Sequence, residues 1–107
     1  PLLEKLFRTT KINESAALAS QVQRNTVAKL RAKGDKVRDL GVKQAPFHVL
    51  LGAQMPSVLI EIGFLSNQEE EKRLKTRQYQ QNLVAGITAG VESYLMETKK
   101  VAKAGVR

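Results

Sequence analysis

Residues 56–67, Pro-Ser-Val-Leu-Ile-Glu-Ile-Gly-Phe-Leu-Ser-Asn, constrain the fold more than any other part of the chain. They begin with an apolar, β-branched run of strand length, residues 58–62, which Gly63 ends. Because the run alternates little between apolar and polar side chains, it is typical of a strand that is covered on both faces. The sequence therefore predicts an α/β fold in which helices cover a sheet.

A second apolar run, residues 47–51, is also predicted to be a strand. Only residues 52–56 separate the two runs. A crossover between adjacent parallel strands needs about a dozen residues or more. The runs are therefore either an antiparallel pair or not neighbours, and we predict a mixed sheet.

One acidic residue, Glu61, lies within the first run. A carboxylate in a buried strand is costly unless it is paired, protonated or bound to a metal. Burial alone leaves a catalytic role and a structural ion pair equally open. After the strand, Ser66 and Glu69 have the spacing of a capping box, which predicts a helix start. Glu61 thus lies near the carboxyl end of a strand, where open α/β sheets keep their active sites.

Two helices are predicted before the sheet. Residues 1–11 are interpreted as the last turns of one helix, and Asn13 as the N-cap of a second over about residues 14–33. Gly34 is predicted to end this second helix as a glycine just past its last turn.

A last helix is predicted from Thr76, as its N-cap, to about residue 97. Gly86 and Gly90 lie one turn apart in it, a spacing that allows close approach to the sheet. Residues 98–107 are interpreted as a basic tail. The acidic run of residues 69–71 matches the positive end of a helix dipole and is not interpreted as a metal site.

The composition sets bounds on partners and compartment. A chain of 107 residues forms one domain at most, and with no cysteine it has neither disulfides nor thiolate metal ligands. No stretch approaches the roughly 20 apolar residues of a membrane span. The net charge of +8 lies towards both ends of the chain and suits an anionic partner such as nucleic acid, anionic lipid or a cell-wall polymer.

The stretch of residues 55–67, Met-Pro-Ser-Val-Leu-Ile-Glu-Ile-Gly-Phe-Leu-Ser-Asn, closely resembles the C-terminal signature of zinc-dependent N-acetylmuramoyl-L-alanine amidases of the AmiA/AmiB/AmiC type. The flanks agree at residues 41–47 and from Tyr79 to Tyr94, so the resemblance covers roughly residues 13–96. It implies that residues 1–97 are the C-terminal part of an amidase catalytic domain. Residues 1–12 are then open to two interpretations: the end of a regulatory helical insert, or an ordinary docking helix.

The resemblance implies hydrolysis of the peptidoglycan amide between N-acetylmuramic acid and the L-alanine of the stem peptide. It implies that Glu61 acts beside a zinc-bound water as general base and acid. The zinc ligands of such amidases, two histidines and a glutamate, lie upstream of this region. We therefore expect zinc as a cofactor, no metal ligand in this chain, and no activity from the chain alone.

Other residues of the signature region are secondary candidates. Gln44, Asn67 and Gly41 are predicted to line the substrate cleft, although Asn67 suits a helix N-terminus equally well. His48 is interpreted as a packing or cleft residue and not as a ligand. The chain has His48 where the family often has an aromatic residue such as Tyr, and Leu51 where a basic residue is common. These two differences put substrate contacts near that run in doubt.

Peptidoglycan is the expected partner, with an activator protein as a further one, in the periplasm or cell envelope during cell division. Three alternatives stay open: a wall-binding or regulatory piece that has lost catalysis, a basic nucleic-acid module, and another zinc hydrolase such as an exopeptidase. With five aromatic residues and no stacking platform, the nucleic-acid module is disfavoured.

Overall fold

The computed structural model describes residues 1–45 and 48–105, without the side chain of His48. The described elements are α1 (Leu2–Ala32), a short 3₁₀ turn (His48–Leu50), α2 (Gln68–Leu74) and α3 (Arg77–Gly105). α1 and α3 run antiparallel, because Gly90 lies against Val22 and Gly86 against Thr26. α2 packs on α3, and the long connection from α1 to α2 carries the predicted site.

The predicted α/β mixed sheet is wrong, since residues 1–45 and 48–105 contain no strand. Residues 56–64 are neither helical nor paired, and residues 48–50 of the second predicted strand form the 3₁₀ turn. A strand is defined by hydrogen bonds to a neighbour that is distant in sequence. The β-branched composition of residues 58–62 fits a strand but supplies no such neighbour. Of the other two residues of the second run, Leu51 lies in a turn and Phe47 falls outside the described residues.

α1 is one continuous helix where two were predicted. No glycine or proline interrupts residues 2–32, and Asn13 lies exposed within the helix instead of capping one. A single asparagine costs an α-helix only about 0.7 kcal/mol relative to alanine. That cost is too small to break a helix of 31 residues.

The end of α1 follows the prediction. Gly34 has a φ of +90°, a conformation that glycine adopts without strain. The Gly34 N–H donates to the Arg31 carbonyl, and the Asp35 N–H donates to the Leu30 carbonyl, each at 3.0 Å. This pair of bonds is a Schellman motif, which satisfies carbonyls that the end of a helix leaves open.

Close contact between backbones sets the packing of α1 on α3. A Cβ built on Gly86 would lie 2.7 Å from the Thr26 Cα, and one built on Gly90 would lie 2.8 Å from the Gln21 carbonyl oxygen. The predicted close approach therefore occurs, but against α1 and not against a sheet. The buried apolar side chains gather around this contact: Val22, Val27, Leu30 and Leu83.

α3 begins as predicted and ends later. The Thr76 hydroxyl accepts a hydrogen bond from the Tyr79 N–H at 3.3 Å, so Thr76 caps the helix. The helix then continues to Gly105 instead of ending near residue 97. Residues 98–104, Thr-Lys-Lys-Val-Ala-Lys-Ala, include neither glycine nor proline, so nothing in their sequence stops the helix.

Candidate functional site

Glu61 lies on an irregular segment that is fastened on both sides. Upstream, the Ser57 N–H donates to the Ser15 hydroxyl of α1 at 2.9 Å. Downstream, the Phe64 N–H donates to the Glu70 carboxylate of α2 at 2.7 Å. The segment of residues 57–64, which we call the Glu61 strap, therefore joins α1 to the start of α2.

A small ring of hydrogen bonds closes the downstream end of the Glu61 strap. The Asn67 N–H donates to the Phe64 carbonyl at 3.0 Å. The Asn67 side-chain oxygen accepts from the N–H groups of Glu69 and Glu70, at 3.0 and 3.1 Å. Asn67, not the predicted Ser66, is thus the N-cap of α2. With two lone pairs on its oxygen engaged, that oxygen has little capacity left for a substrate.

The Glu61 carboxylate itself is exposed. Across residues 1–45 and 48–105, it makes no hydrogen bond or salt bridge with another side chain. The buried position expected from the strand pattern is therefore wrong. An exposed carboxylate is accessible to water and to a substrate, which a general base requires.

Gly41 and Gln44, also predicted to line the cleft, lie in the connection after α1. Gln44 is exposed. Gly41 lines a shallow groove of about 300 Å³ between that connection and α1. In the described part of the chain, no hydrogen bond joins Gln44, Glu61 and Asn67 to one another.

The connection after α1 is held in place by Asp39. Its carboxylate accepts from the Gln23 amide at 2.7 Å and from the Gly41 N–H at 2.9 Å. These two bonds, the one from Gln23 first, lower the pKa of Asp39 below its ordinary value. Three residues before Asp39, the Lys36 carbonyl accepts a hydrogen bond from the Arg73 guanidinium of α2 at 2.6 Å. The groove beside Gly41 therefore has a fixed wall.

The residues that the structure describes do not fit a zinc site. They include no group of three histidine, aspartate, glutamate or cysteine side chains that could hold a metal ion. A catalytic zinc needs about three such protein ligands. The side chain of His48, predicted to pack or line the cleft, lies outside the described residues.

Two contacts of the Glu61 strap were not predicted from sequence. The Ser15–Ser57 bond joins residues 42 positions apart, and no local pattern signals it. Glu70 was interpreted only as a match to the helix dipole. Its second role had only a partial signal. Asn67 and Glu70 have the spacing of a capping box, which would direct Glu70 to the N–H of Asn67, whereas the observed bond is to the N–H of Phe64.

The sequence profile of the N-acetylmuramoyl-L-alanine amidase family matches residues 4–93. The chain is 40% identical to the N-acetylmuramoyl-L-alanine amidase AmiC of Escherichia coli over 73 residues, which are 68% of this chain and 18% of that protein. It is 38% identical to the amidase LytC of Bacillus subtilis over 80 residues, 75% of this chain and 15% of that protein.

An uncharacterized protein of Bacillus subtilis, YqiI, is 40% identical over 80 residues, which are 75% of this chain and 36% of YqiI. The chain therefore spans well under half the length of these relatives. No solved structure gives a significant match. In the described helices, no segment has both the length and the apolar character that crossing a bilayer requires.

Proposed function

Because the chain belongs to the N-acetylmuramoyl-L-alanine amidase family, we propose that residues 1–97 are the C-terminal part of the catalytic domain of a peptidoglycan hydrolase. The bond cleaved is the amide between the lactyl group of N-acetylmuramic acid and the L-alanine of the stem peptide. The observation that carries this proposal is the family match over residues 4–93, which includes the whole Glu61 strap and extends well beyond both of its ends.

We assign the proton transfers of this hydrolysis to Glu61. Its carboxylate accepts a proton from the attacking water while the water oxygen bonds to the amide carbon. The same proton then passes to the leaving nitrogen as the carbon–nitrogen bond breaks, which releases the stem peptide with a free L-alanine amine. A positioned carboxylate of this kind typically contributes about 10²–10⁴-fold in rate. The Glu61 carboxylate is exposed and makes no hydrogen bond or ion pair within the described part of the chain, which supports this role.

Zinc belongs to the proposal as a cofactor of the complete enzyme. When bound, zinc would polarise the scissile carbonyl and acidify the attacking water. The described residues offer no ligand cluster, so its ligands have to come from other parts of the protein. Within this chain only the proton transfers by Glu61 are assigned.

The remaining parts of the proposal rest on the family resemblance alone. They are a place in the cell envelope, specifically the periplasm, a role in cell division, and control by an activator protein. Gln44 is retained as a cleft residue, and its exposure keeps it accessible to a substrate. Replacing Gln44 by alanine in the complete enzyme, without any loss of activity, would remove it from the site.

The test uses the complete protein that contains this chain, with purified peptidoglycan as substrate. The measurements are zinc content and the release of stem peptides that begin with L-alanine. Glu61→Gln removes the proton acceptor with little change of shape, and we expect it to lower kcat by about 10²–10⁴-fold with the zinc content unchanged. Glu69→Gln is the matched control, because Glu69 is also exposed and its side chain lies outside the Glu61 strap.

The two variants separate the possible outcomes. Glu61 is supported as the base if the wild type and Glu69→Gln are active while Glu61→Gln is inactive and still retains zinc. Wild-type activity that survives in Glu61→Gln contradicts that assignment. A wild-type protein that binds peptidoglycan but releases no peptide favours the wall-binding alternative over the enzyme.

A further inference from the structure

We propose that Glu70 is a positioning residue for Glu61, and this inference rests on the proposed amidase function. The Glu70 carboxylate holds the backbone at Phe64, three residues after Glu61, and so fixes the downstream end of the Glu61 strap on α2. Loss of this contact would leave Glu61 intact but move it relative to the scissile amide.

The first support is the hydrogen bond itself. At 2.7 Å, the bond from the Phe64 N–H to the Glu70 carboxylate has the length of a charge-assisted bond, which is about twice as strong as one between neutral groups. The Phe64 carbonyl is held as well, by the Asn67 N–H. Both polar groups of Phe64 are therefore tied to the first turn of α2 or its cap.

The second support is the packing at Gly63, between Phe64 and the catalytic candidate. Gly63 has a φ of +156°, and a Cβ built on it would lie 3.1 Å from Cδ1 of Leu74 and 3.5 Å from a Glu70 carboxylate oxygen. The strap thus lies directly on the face of α2 that carries Glu70. Contact and hydrogen bond act at adjacent residues, so the path of the chain beyond Glu61 is closely determined.

The three successive glutamates of α2 differ in what they touch. Glu71 forms an exposed ion pair with Lys75 at 3.0 Å. The Glu69 side chain makes no hydrogen bond or ion pair with the strap in the described structure, although its N–H donates to Asn67. Glu70 and Glu71 are both half-buried, but within the described residues only the Glu70 carboxylate bonds to the strap. The favourable interaction of negative charge with the helix N-terminus explains why all three residues are acidic. It does not explain the bond to Phe64, which depends on the length of the Glu70 side chain.

The experiment uses the complete enzyme and separates the effect of the length of the Glu70 side chain from the effect of its charge. Glu70→Asp keeps the negative charge at the start of α2 but shortens the side chain by one methylene, so the bond to Phe64 is lost. Glu70→Gln loses the charge but keeps an oxygen at the same reach. Glu69→Ala is the matched control on the same helix turn. We measure kcat and KM for peptidoglycan fragments, the pH profile of kcat, and the thermal midpoint of each variant.

We expect Glu70→Asp to lower kcat by about 10-fold or more, since displacements near 1 Å cost up to about 10²-fold. KM, the shape of the pH profile and the thermal midpoint should stay close to those of the wild type. Glu70→Gln should keep kcat within about threefold, and Glu69→Ala should match the wild type. A purely structural role would instead lower the thermal midpoint and leave the kcat of the folded enzyme unchanged.

Three results would overturn the inference. They are an unchanged kcat in Glu70→Asp, a Glu70→Gln variant as impaired as Glu70→Asp, and an equal loss in Glu69→Ala. Each of these presumes an active wild type whose activity Glu61→Gln abolishes, so each leaves the amidase function standing. A wild type that releases no stem peptide overturns the function, and the inference with it.

Discussion

Asn67 shows how much a single side chain decides at the start of α2. Its oxygen accepts two backbone N–H groups that the first turn of a helix would otherwise leave without a partner. Ser66, its neighbour, makes no such contact within the described structure. Two adjacent polar residues, both suited to an N-cap by type, therefore have unequal effects on stability.

This difference gives a direct test. We expect Asn67→Ala to destabilise α2 by about 1 kcal/mol, because the capping bonds are lost. Ser66→Ala should change stability by no more than about 0.5 kcal/mol, as surface substitutions usually do. Hydrogen exchange at the Glu69 and Glu70 amides reports on both. Equal changes in the two variants would show that Ser66 shares the capping role.

Asp39 links the pH dependence of stability to the connection after α1. Its pKa is lowered in the folded state, by the Gln23 amide first and the Gly41 N–H second. A lowered folded pKa means that the stabilisation is fully present above the unfolded pKa and is lost as pH falls through the folded value. The contribution should therefore disappear in acid, below the ordinary aspartate pKa of about 3.9.

We expect the wild type to be more stable than Asp39→Asn at pH 7, with the difference shrinking as the pH is lowered below about 4. Urea denaturation of both proteins across this range is the measurement. Asp35→Asn is a useful comparison, since Asp35 lies on the same connection and its side chain makes no hydrogen bond or salt bridge in the described residues. A wild-type advantage that grows in acid would contradict the sign of this prediction.

At the scale of elements, the contact between α1 and α3 depends on the absence of two side chains. A Cβ at Gly90 would clash with backbone atoms of Val22 and Gln21, which cannot rotate away as a side chain can. Gly90→Ala would gain about 1 kcal/mol in helix propensity. Forcing the two backbones apart typically costs about 1–3 kcal/mol.

We therefore expect Gly90→Ala to lower the free energy of unfolding by up to about 2 kcal/mol net, because a clash with backbone atoms puts the packing cost at the upper end of its range, above the gain in helix propensity. Gly105→Ala is the control, because no atom lies within 4 Å of a Cβ at that position. That substitution should cause no loss. Chemical denaturation of the two variants and the wild type decides the matter, and a stabilised Gly90→Ala would mean that the helices are not in close contact there.

The elements that were predictable from sequence are those set by local chemistry. Gly34 at the end of α1 and Thr76 at the start of α3 act through bonds to residues within four positions, so spacing alone revealed them. Gly86 and Gly90 predicted a close approach but could not identify its partner. The predicted sheet failed for the same reason, because strand pairing depends on residues far away in sequence.

The same distinction between local and long-range contacts applies to the candidate site. Glu61 was selected by its apolar neighbours and by resemblance, and its exposure was not foreseen. The anchors of the Glu61 strap bring Ser15 and Glu70 to it from two helices that lie on either side of it in the chain. Only the second anchor left a trace in the sequence. The sequence thus singled out Glu61 as a candidate but revealed less about the hydrogen bonds that hold its segment in place.

On the scale of the whole molecule, charge is the property with a measurable consequence. Residues 1–40 carry nine basic and four acidic side chains, a net +5, and residues 76–107 carry five and two, a net +3. Residues 41–75, which hold Glu61, carry four of each and are neutral. The positive charge therefore lies on the two long helices and their ends, not on the segment that carries the proposed chemistry.

We expect this charge to promote binding to anionic peptidoglycan separately from cleavage. The bound fraction in a sedimentation assay should fall several-fold between about 0.1 M salt, where the Debye length is about 10 Å, and about 1 M, where it is about 3 Å. Glu61→Gln should bind as the wild type does. Replacing Lys99, Lys100 and Lys103 by glutamine should weaken binding at low salt and leave kcat on soluble fragments unchanged, since all three lie beyond the family-matched residues 4–93. Binding that is insensitive to salt would contradict this prediction, because it would mean that contacts other than the charge of the two helices hold the protein on peptidoglycan.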